Sequence, residues 1–256
     1  MSRLAQLIIL RLRQEVLEWS GSWWFLTTLV VQAVIGPLIG LFVWSAVFPD
    51  DAYIVSYYVA LMLITLMTES FEQFTLAERI YDGTLSHELL RPQPVVIGVI
   101  GANLAIRSWL TIIGVPAVVL TGFAMGVRFE PAAILLALPA IPLAGIMMFL
   151  WTYGLSLTGF WTERVHAVVG FGSYLIMILG GTIAPVELLP EPWRQVSRVL
   201  PMYGMLGFPA ELATGRLQGG SVIIGYLLQL GWIAAGVAIC VRLWRAGTRR
   251  YTVVGA

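Results

Sequence analysis

Few residues in this sequence are of a type that does chemistry. The histidines are two, His87 and His166, and the one cysteine is Cys240. Two histidines with no cysteine neighbour make a poor metal site, so none is expected. No H-E-x-x-H or G-x-S-x-G pattern is present, and no nucleophile–base pair for hydrolysis stands out. No catalytic residue is therefore assigned. All 15 basic residues are arginine, with no lysine anywhere. That excludes a Walker-A P-loop, whose lysine reaches the nucleotide phosphates, and Schiff-base chemistry at a lysine. If the chain takes part in ATP-driven work, another chain must bind the ATP. Three charges fall in or beside apolar runs: Glu69, Glu72 and Arg107. Ionisable groups in a membrane are costly and are paired or face water. Either Glu69 and Arg107 form an intramembrane charge pair, or both ends project from the bilayer and are solvated. Proton-coupled transport needs carboxylates near the bilayer centre, and none is clearly there.

The elements that hold these residues are membrane helices. Of 256 residues, 59% are hydrophobic and 11% charged, and the mean hydropathy is +0.86. A soluble domain carries about 25% charged residues. The composition predicts an all-α polytopic membrane protein, a single transmembrane domain over 1–256. A net charge of +1 suggests no nucleic-acid partner. Residues 1–22 are short of a span. Leu4, Leu7, Ile8, Leu12, Val16 and Trp19 recur at helical spacing among arginines and glutamates, as in an amphipathic helix lying in the membrane interface. Six spans are expected at roughly 23–47, 53–73, 95–126, 131–159, 167–184 and 221–244, at ~20 residues per crossing. Pro116 is expected to kink the third, and Pro139 with Pro142 the fourth. Gly170, Gly172, Gly180 and Gly181 mark the fifth for close packing.

Two polar interruptions remain. The first, 75–94, has an apolar edge of Leu76, Ile80, Leu85, Leu89 and Leu90 among Glu78, Arg79, Asp82, His87 and Glu88. Asp82-Gly83 breaks it, Thr84 can cap the helical turn after the break, and Arg91-Pro92 ends it. It is either a knob that docks into a soluble partner or a solvated loop. The second, 185–217, is too broken by proline for a full span. Pro190-Glu191-Pro192 can start a short helix with Trp193, Val196, Val199 and Leu200 on one face, and Pro201 ends it. Leu206, Phe208 and Pro209 make the next piece apolar again. A re-entrant segment covered by protein fits this pattern, and so does a loosely packed external loop.

Arginine sets the orientation. With the N-terminus inside, the inner segments hold Arg3, Arg11, Arg13, Arg79, Arg91, Arg164, Arg242, Arg245, Arg249 and Arg250. The outer segments hold only Arg128, Arg194, Arg198 and Arg216. This bias puts both termini, and 75–94, in the cytoplasm.

In that order of elements the chain resembles the permease subunit of ABC-2-type exporters. Asp82-Gly83-Thr84-Leu85 followed by Leu89-Leu90-Arg91-Pro92 resembles the family's signature after the second span. Phe160-Trp161-Thr162, Pro185, Leu189-Pro190, Trp193, Leu200-Pro201, Phe208-Pro209 and Gly215 resemble a subfamily of paired small permeases sharing one kind of ATPase. The resemblance covers essentially the whole chain. It implies two permeases, a homodimer or a heterodimer with a sister chain, in the cell membrane on two cytoplasmic ABC ATPase subunits. ATP and Mg would be bound by those ATPases, with no cofactor on this chain. Ile80, Gly83, Leu85, Glu88, Leu89 and Arg91 would form the coupling helix, and Arg79 would add a basic contact. Pro190, Trp193, Leu200, Pro201 and Phe208 would belong to the external gate. The pathway would run near the first, second and fifth spans and carry an amphipathic or lipid-like substrate outward. The alternatives are a membrane enzyme or lipid-processing scaffold without an ATPase, and a gradient-driven carrier.

The arginine bias makes a direct prediction. Cysteines placed at Ser2 and Thr248 should be shielded from an impermeant thiol reagent applied to intact cells, and one at Arg194 should react. Labelling of either terminus from outside overturns the orientation.

Overall fold

A computed structural model describes residues 23–49 and 51–251. The interfacial helix expected over 1–22 lies outside the described residues. Among those described, the regular structure is entirely helical. Lipid offers backbone groups no partner, so apolar segments close their hydrogen bonds within themselves. Helix α1 is Trp23–Val47 and α2 is Ala52–Thr68. A π turn at Gln73–Ala77 leads to two short helices, α3 at Glu78–Tyr81 and α4 at Leu85–Leu89. Then come α5 at Val95–Ala124, α6 at Pro131–Ala137, α7 at Ala140–Ser156 and α8 at Val165–Leu179. Three short helices come next, α9 at Trp193–Val199, α10 at Pro201–Met205 and α11 at Gly207–Ala213, before α12 at Gly220–Thr248.

Four helical runs are long and apolar enough to cross a membrane: Trp24–Val47, Val95–Ala124, Pro131–Phe160 and Gly220–Thr248. The other two apolar helices, α2 and α8, have 17 and 15 residues. At 1.5 Å per residue they reach about 25 and 22 Å, short of a hydrocarbon core of about 30 Å. The expected kink in the fourth run is a break: α6 stops at Ala137, and α7 restarts at Ala140 with Pro142 in its first turn, where a missing N–H costs nothing. Pro116 lies inside α5 without interrupting it.

The bundle is built around α2, which packs against α1, α5, α7 and α11. Its residues are apolar on every side, as a fully enclosed helix requires. Tyr57, Tyr58, Leu61, Ile64 and Leu66 are all fully buried. Asp51 starts it by accepting the Tyr53 N–H at 2.9 Å. Near that start, three donors tie the chain after α8 to the first two helices. Tyr57 donates to the Gly181 carbonyl at 3.0 Å, and Tyr58 and Trp44 donate to that of Ile183 at 3.1 and 2.7 Å. The end of α8 therefore meets the beginning of α2, and residues 75–94 lie at the opposite end of the bundle. Along the outside, α12 lies against α7. Its buried Gln229 donates to the Ala140 and Gly204 carbonyls at 3.2 and 2.8 Å, joining α12 to α7 and α10.

Close approach to α12 depends on Gly225. A Cβ there would lie 2.0 Å from the buried ring of Phe208 on α11. Gly225→Ala should destabilise the purified protein by about 1–3 kcal/mol, the usual cost of overpacking. Gly98→Ala on α5, where a Cβ meets nothing within 4 Å, should not lower stability. Thermal unfolding in detergent checks both. Equal melting temperatures for wild type and Gly225→Ala would mean that Phe208 is free to move aside.

Candidate functional site: an anchored loop, a polar junction and a cavity

The segment after α2 is held from below and open from above. Ile80 and Leu85 are buried in a cluster with Leu76, Val95, Val99, Tyr153 and Leu157. Gly83 turns the chain between α3 and α4 with φ +81°, a conformation that favours glycine. Asp82 stabilises the turn, its carboxylate accepting the Thr84 N–H at 3.0 Å and the Thr84 hydroxyl at 2.7 Å. The expected cap by Thr84 is thus replaced by an Asx turn from Asp82, whose side chain reaches its neighbour two residues on. Arg79 and Glu88 form an ion pair of 2.7 Å that bridges the two short helices.

These contacts divide the expected coupling residues. Leu85 is 0% exposed, so it faces this chain's own core and not a partner. Ile80 shares that role. Leu85 and Leu89 open and close the same short helix, α4, and only Leu85 reaches the buried cluster. Leu89 is 41% exposed and Leu90 85%, and Arg91 is exposed beside them. Tyr81 is an exposed residue that the apolar edge of this segment did not include.

Beneath this segment lies a polar junction. Arg107 on α5 donates to the Thr68 carbonyl at 3.1 Å, the Glu69 carbonyl at 3.1 Å and the Ser70 hydroxyl at 2.9 Å. Where the sequence left open either a Glu69–Arg107 charge pair or two solvated ends, Arg107 meets Glu69 through the backbone carbonyl. No ion pair joins the two side chains among the described residues. The physical cause is the end of α2, whose free carbonyls attract a cation. Gly145 on α7 leaves room for the guanidinium, since a Cβ there would sit 2.8 Å from its Nη1. Glu72 is fully buried and accepts from the Asn103 amide on α5 and the Thr152 hydroxyl on α7. One carboxylate thus ties the start of the loop to two helices. Asn103 and Thr152 carry no signal in the sequence beyond being polar in apolar runs.

A cavity of about 270 Å³ opens beside the junction, between α1, α2, α7 and α8. Gln32, Thr65, Glu69, Thr152, Ser173 and Tyr174 supply its polar wall.

At the other end, 185–217 separates into two layers. Residues Pro201–Met205 and Gly207–Ala213 are buried, packed on α2, α6, α7 and α12. Of the expected gate residues, Pro201 and Phe208 belong to this inner layer, and Phe208 is 1% exposed. Phe208 fills the core, and Pro201 lines an apolar pocket between α7 and α12 with Trp151 and Trp232. Leu200 is half-buried and Pro190 exposed. Trp193 is 64% exposed, and Val196 and Val199 share its open face on α9. The inner layer also holds Glu211, fully buried, which accepts from the Tyr203 hydroxyl at 2.6 Å with Arg198 at 3.9 Å. Arg216 pairs with Glu187 at 2.8 Å and lies over the Tyr53 ring, 4.9 Å from its centroid. None of these pairings is visible from sequence spacing.

The chain matches no curated protein sequence. A family model described as ABC-2 family transporter protein matches residues 26–255. That match takes in the loop, the junction, the cavity and the layered segment alike. A multi-helix membrane chain matched over nearly its whole length is a member of that family: this protein belongs to the ABC-2 family of transporters, as a membrane component and not the ATP-binding subunit.

Proposed function

We propose that the chain is the permease subunit of an ATP-driven exporter in the cell membrane. It would cross the bilayer six times, α2 and α8 being completed to full crossings by the protein packed at their ends. Both termini and the 75–94 segment would face the cytoplasm, as the arginine bias favours. ABC ATPase subunits would bind ATP and Mg there, under two permeases, either two copies of this chain or one with a sister chain. The cargo would be amphipathic or lipid-like, moving outward.

The observation that carries this reading is the division of the 75–94 segment. Its exposed surface of Leu89, Leu90 and Arg91 rides on a base fixed by Ile80, Leu85 and the Arg79–Glu88 pair. A partner pressing on that surface moves the whole segment. Glu72 carries the displacement to α5 and α7, and Arg107 carries it to the end of α2. Of the helices so engaged, α2 and α7 line the cavity. The contact with the ATPase is small, with a few apolar anchors and a polar rim.

Truncating a buried anchor at such an interface costs on the order of 2 kcal/mol, about thirtyfold in affinity. Leu89→Ala with Leu90→Ala should therefore give a normally inserted permease that loses its ATPase on purification, or keeps it without substrate-stimulated hydrolysis. Leu85→Ala should instead destabilise the permease itself, by about 2–5 kcal/mol. Co-purification, hydrolysis and thermal unfolding separate the two. ATPase retention and hydrolysis at wild-type levels in the double variant would make this segment a solvated loop.

A further inference from the structure

The cavity between α1, α2, α7 and α8 has a composition of its own. Glu69 is the one charged side chain on its wall among the described residues. Glu69 is half-buried, and its carboxylate has no hydrogen bond or ion pair with any described residue. Arg107 attracts that carboxylate through space, but it directs Nε and Nη2 to the Thr68 and Glu69 carbonyls and the Ser70 hydroxyl and forms no ion pair with it. It does not line the cavity, and neither does Glu72, which is enclosed by Asn103 and Thr152. The rest of the wall is apolar or neutral. Phe74 and Tyr174 offer exposed aromatic rings, and Gln32, Thr65 and Ser173 offer neutral polar groups.

We propose that this cavity binds a hydrophobic organic cation, with the Glu69 carboxylate as its charge partner. A carboxylate facing an apolar cavity without a partner is costly, and a bound cation offsets that cost. The aromatic rings add attraction for the cation through their negative faces. The apolar wall takes up its hydrocarbon body. An anionic amphiphile would bring like charge against Glu69, and a neutral one would bury the carboxylate unpaired. The site thus selects one sign of charge among the amphipathic cargoes that the fold admits. The inference rests on the export reading for calling the bound cation a substrate, and on the cavity alone for its binding.

The test uses two ions of matched shape and opposite charge, tetraphenylphosphonium and tetraphenylborate. Each is bound to the purified permease in lipid nanodiscs, and binding to protein-free discs is subtracted. The expected result is saturable binding of the phosphonium, with the borate at least on the order of tenfold weaker. Glu69→Gln should weaken the phosphonium by about tenfold and leave the borate unchanged or tighter, and Glu69→Asp should retain most of the preference. Thermal unfolding checks that the variants remain folded. Equal affinity for the two ions in the wild type, no saturable phosphonium binding, or an unaltered preference in folded Glu69→Gln would each overturn the proposal. The wild-type comparison decides the matter even where a variant fails to fold. ATPase retention is measured separately on the same permease. A permease that holds its ATPase but ignores the phosphonium sinks the cation and leaves the export reading standing.

Discussion

The end of α2 is the constraint on which the architecture around the 75–94 segment rests. A helix that stops inside a membrane protein leaves carbonyls with no water to meet them. Here one guanidinium, Arg107, takes the Thr68 and Glu69 carbonyls together with the Ser70 hydroxyl. Arginine suits this task because its planar fork of donors reaches several acceptors at once and stays charged. Once α2 is capped from the side, the chain is free to leave the helix at Glu69, cross over at Phe71 and re-form as a π turn. Single π turns inside helical runs are common at functional sites. The loop beyond it is positioned by this ending, and Glu72 then fixes its first residues to α5 and α7.

Much of the fold was legible because lipid simplifies the code. Apolar runs become helices, and prolines mark their breaks. The runs at 23–47 and 95–126 match α1 and α5 to within two residues at each end, and Pro139 sits at a real discontinuity. The shorter α2 and α8 were less legible. The span expected to run on to residue 73 ends early, because the backbone leaves the helix at Glu69 under the pull of Arg107, and that contact spans 38 residues of sequence. The site was legible in its segments and not in its faces. Leu85 and Leu89 are four apart and lie at the two ends of one short helix, α4, so their spacing does not tell which of them meets the chain's own core. In the structure α4 is five residues long and pinned by Leu85 to the core, which turns the open face toward Leu89 and Leu90. For Phe208 the family resemblance implied a place in an external gate, and its partners, Gly225 and Tyr226 on α12, lie beyond the range of local pattern.

The exposed surface is as informative as the buried core. Phe42 on α1, Leu120 and Phe123 on α5, Phe171 and Tyr174 on α8, and Ile223 on α12 all lie open. On a soluble monomer such surface marks an interface, and in a bilayer most of it is solvated by lipid. The polar atoms obey the opposite rule. Glu72, Glu211 and Gln229 are fully enclosed, and each joins two or more helices or helical segments through hydrogen bonds. Lipid supplies little drive for helix association, so packing and such hydrogen bonds carry more of it. Small residues contribute the packing, as Gly145 does at Arg107 and Gly225 at Phe208. Glu69 departs from this pattern. It has the same chemistry as Glu72 three residues on, yet its carboxylate is left without a partner among the described residues, at the wall of a cavity. Where Glu72 and Glu211 are closed in by hydrogen bonds, Glu69 keeps only the through-space attraction of Arg107, and that leaves its carboxylate open to a cationic partner at the cavity wall.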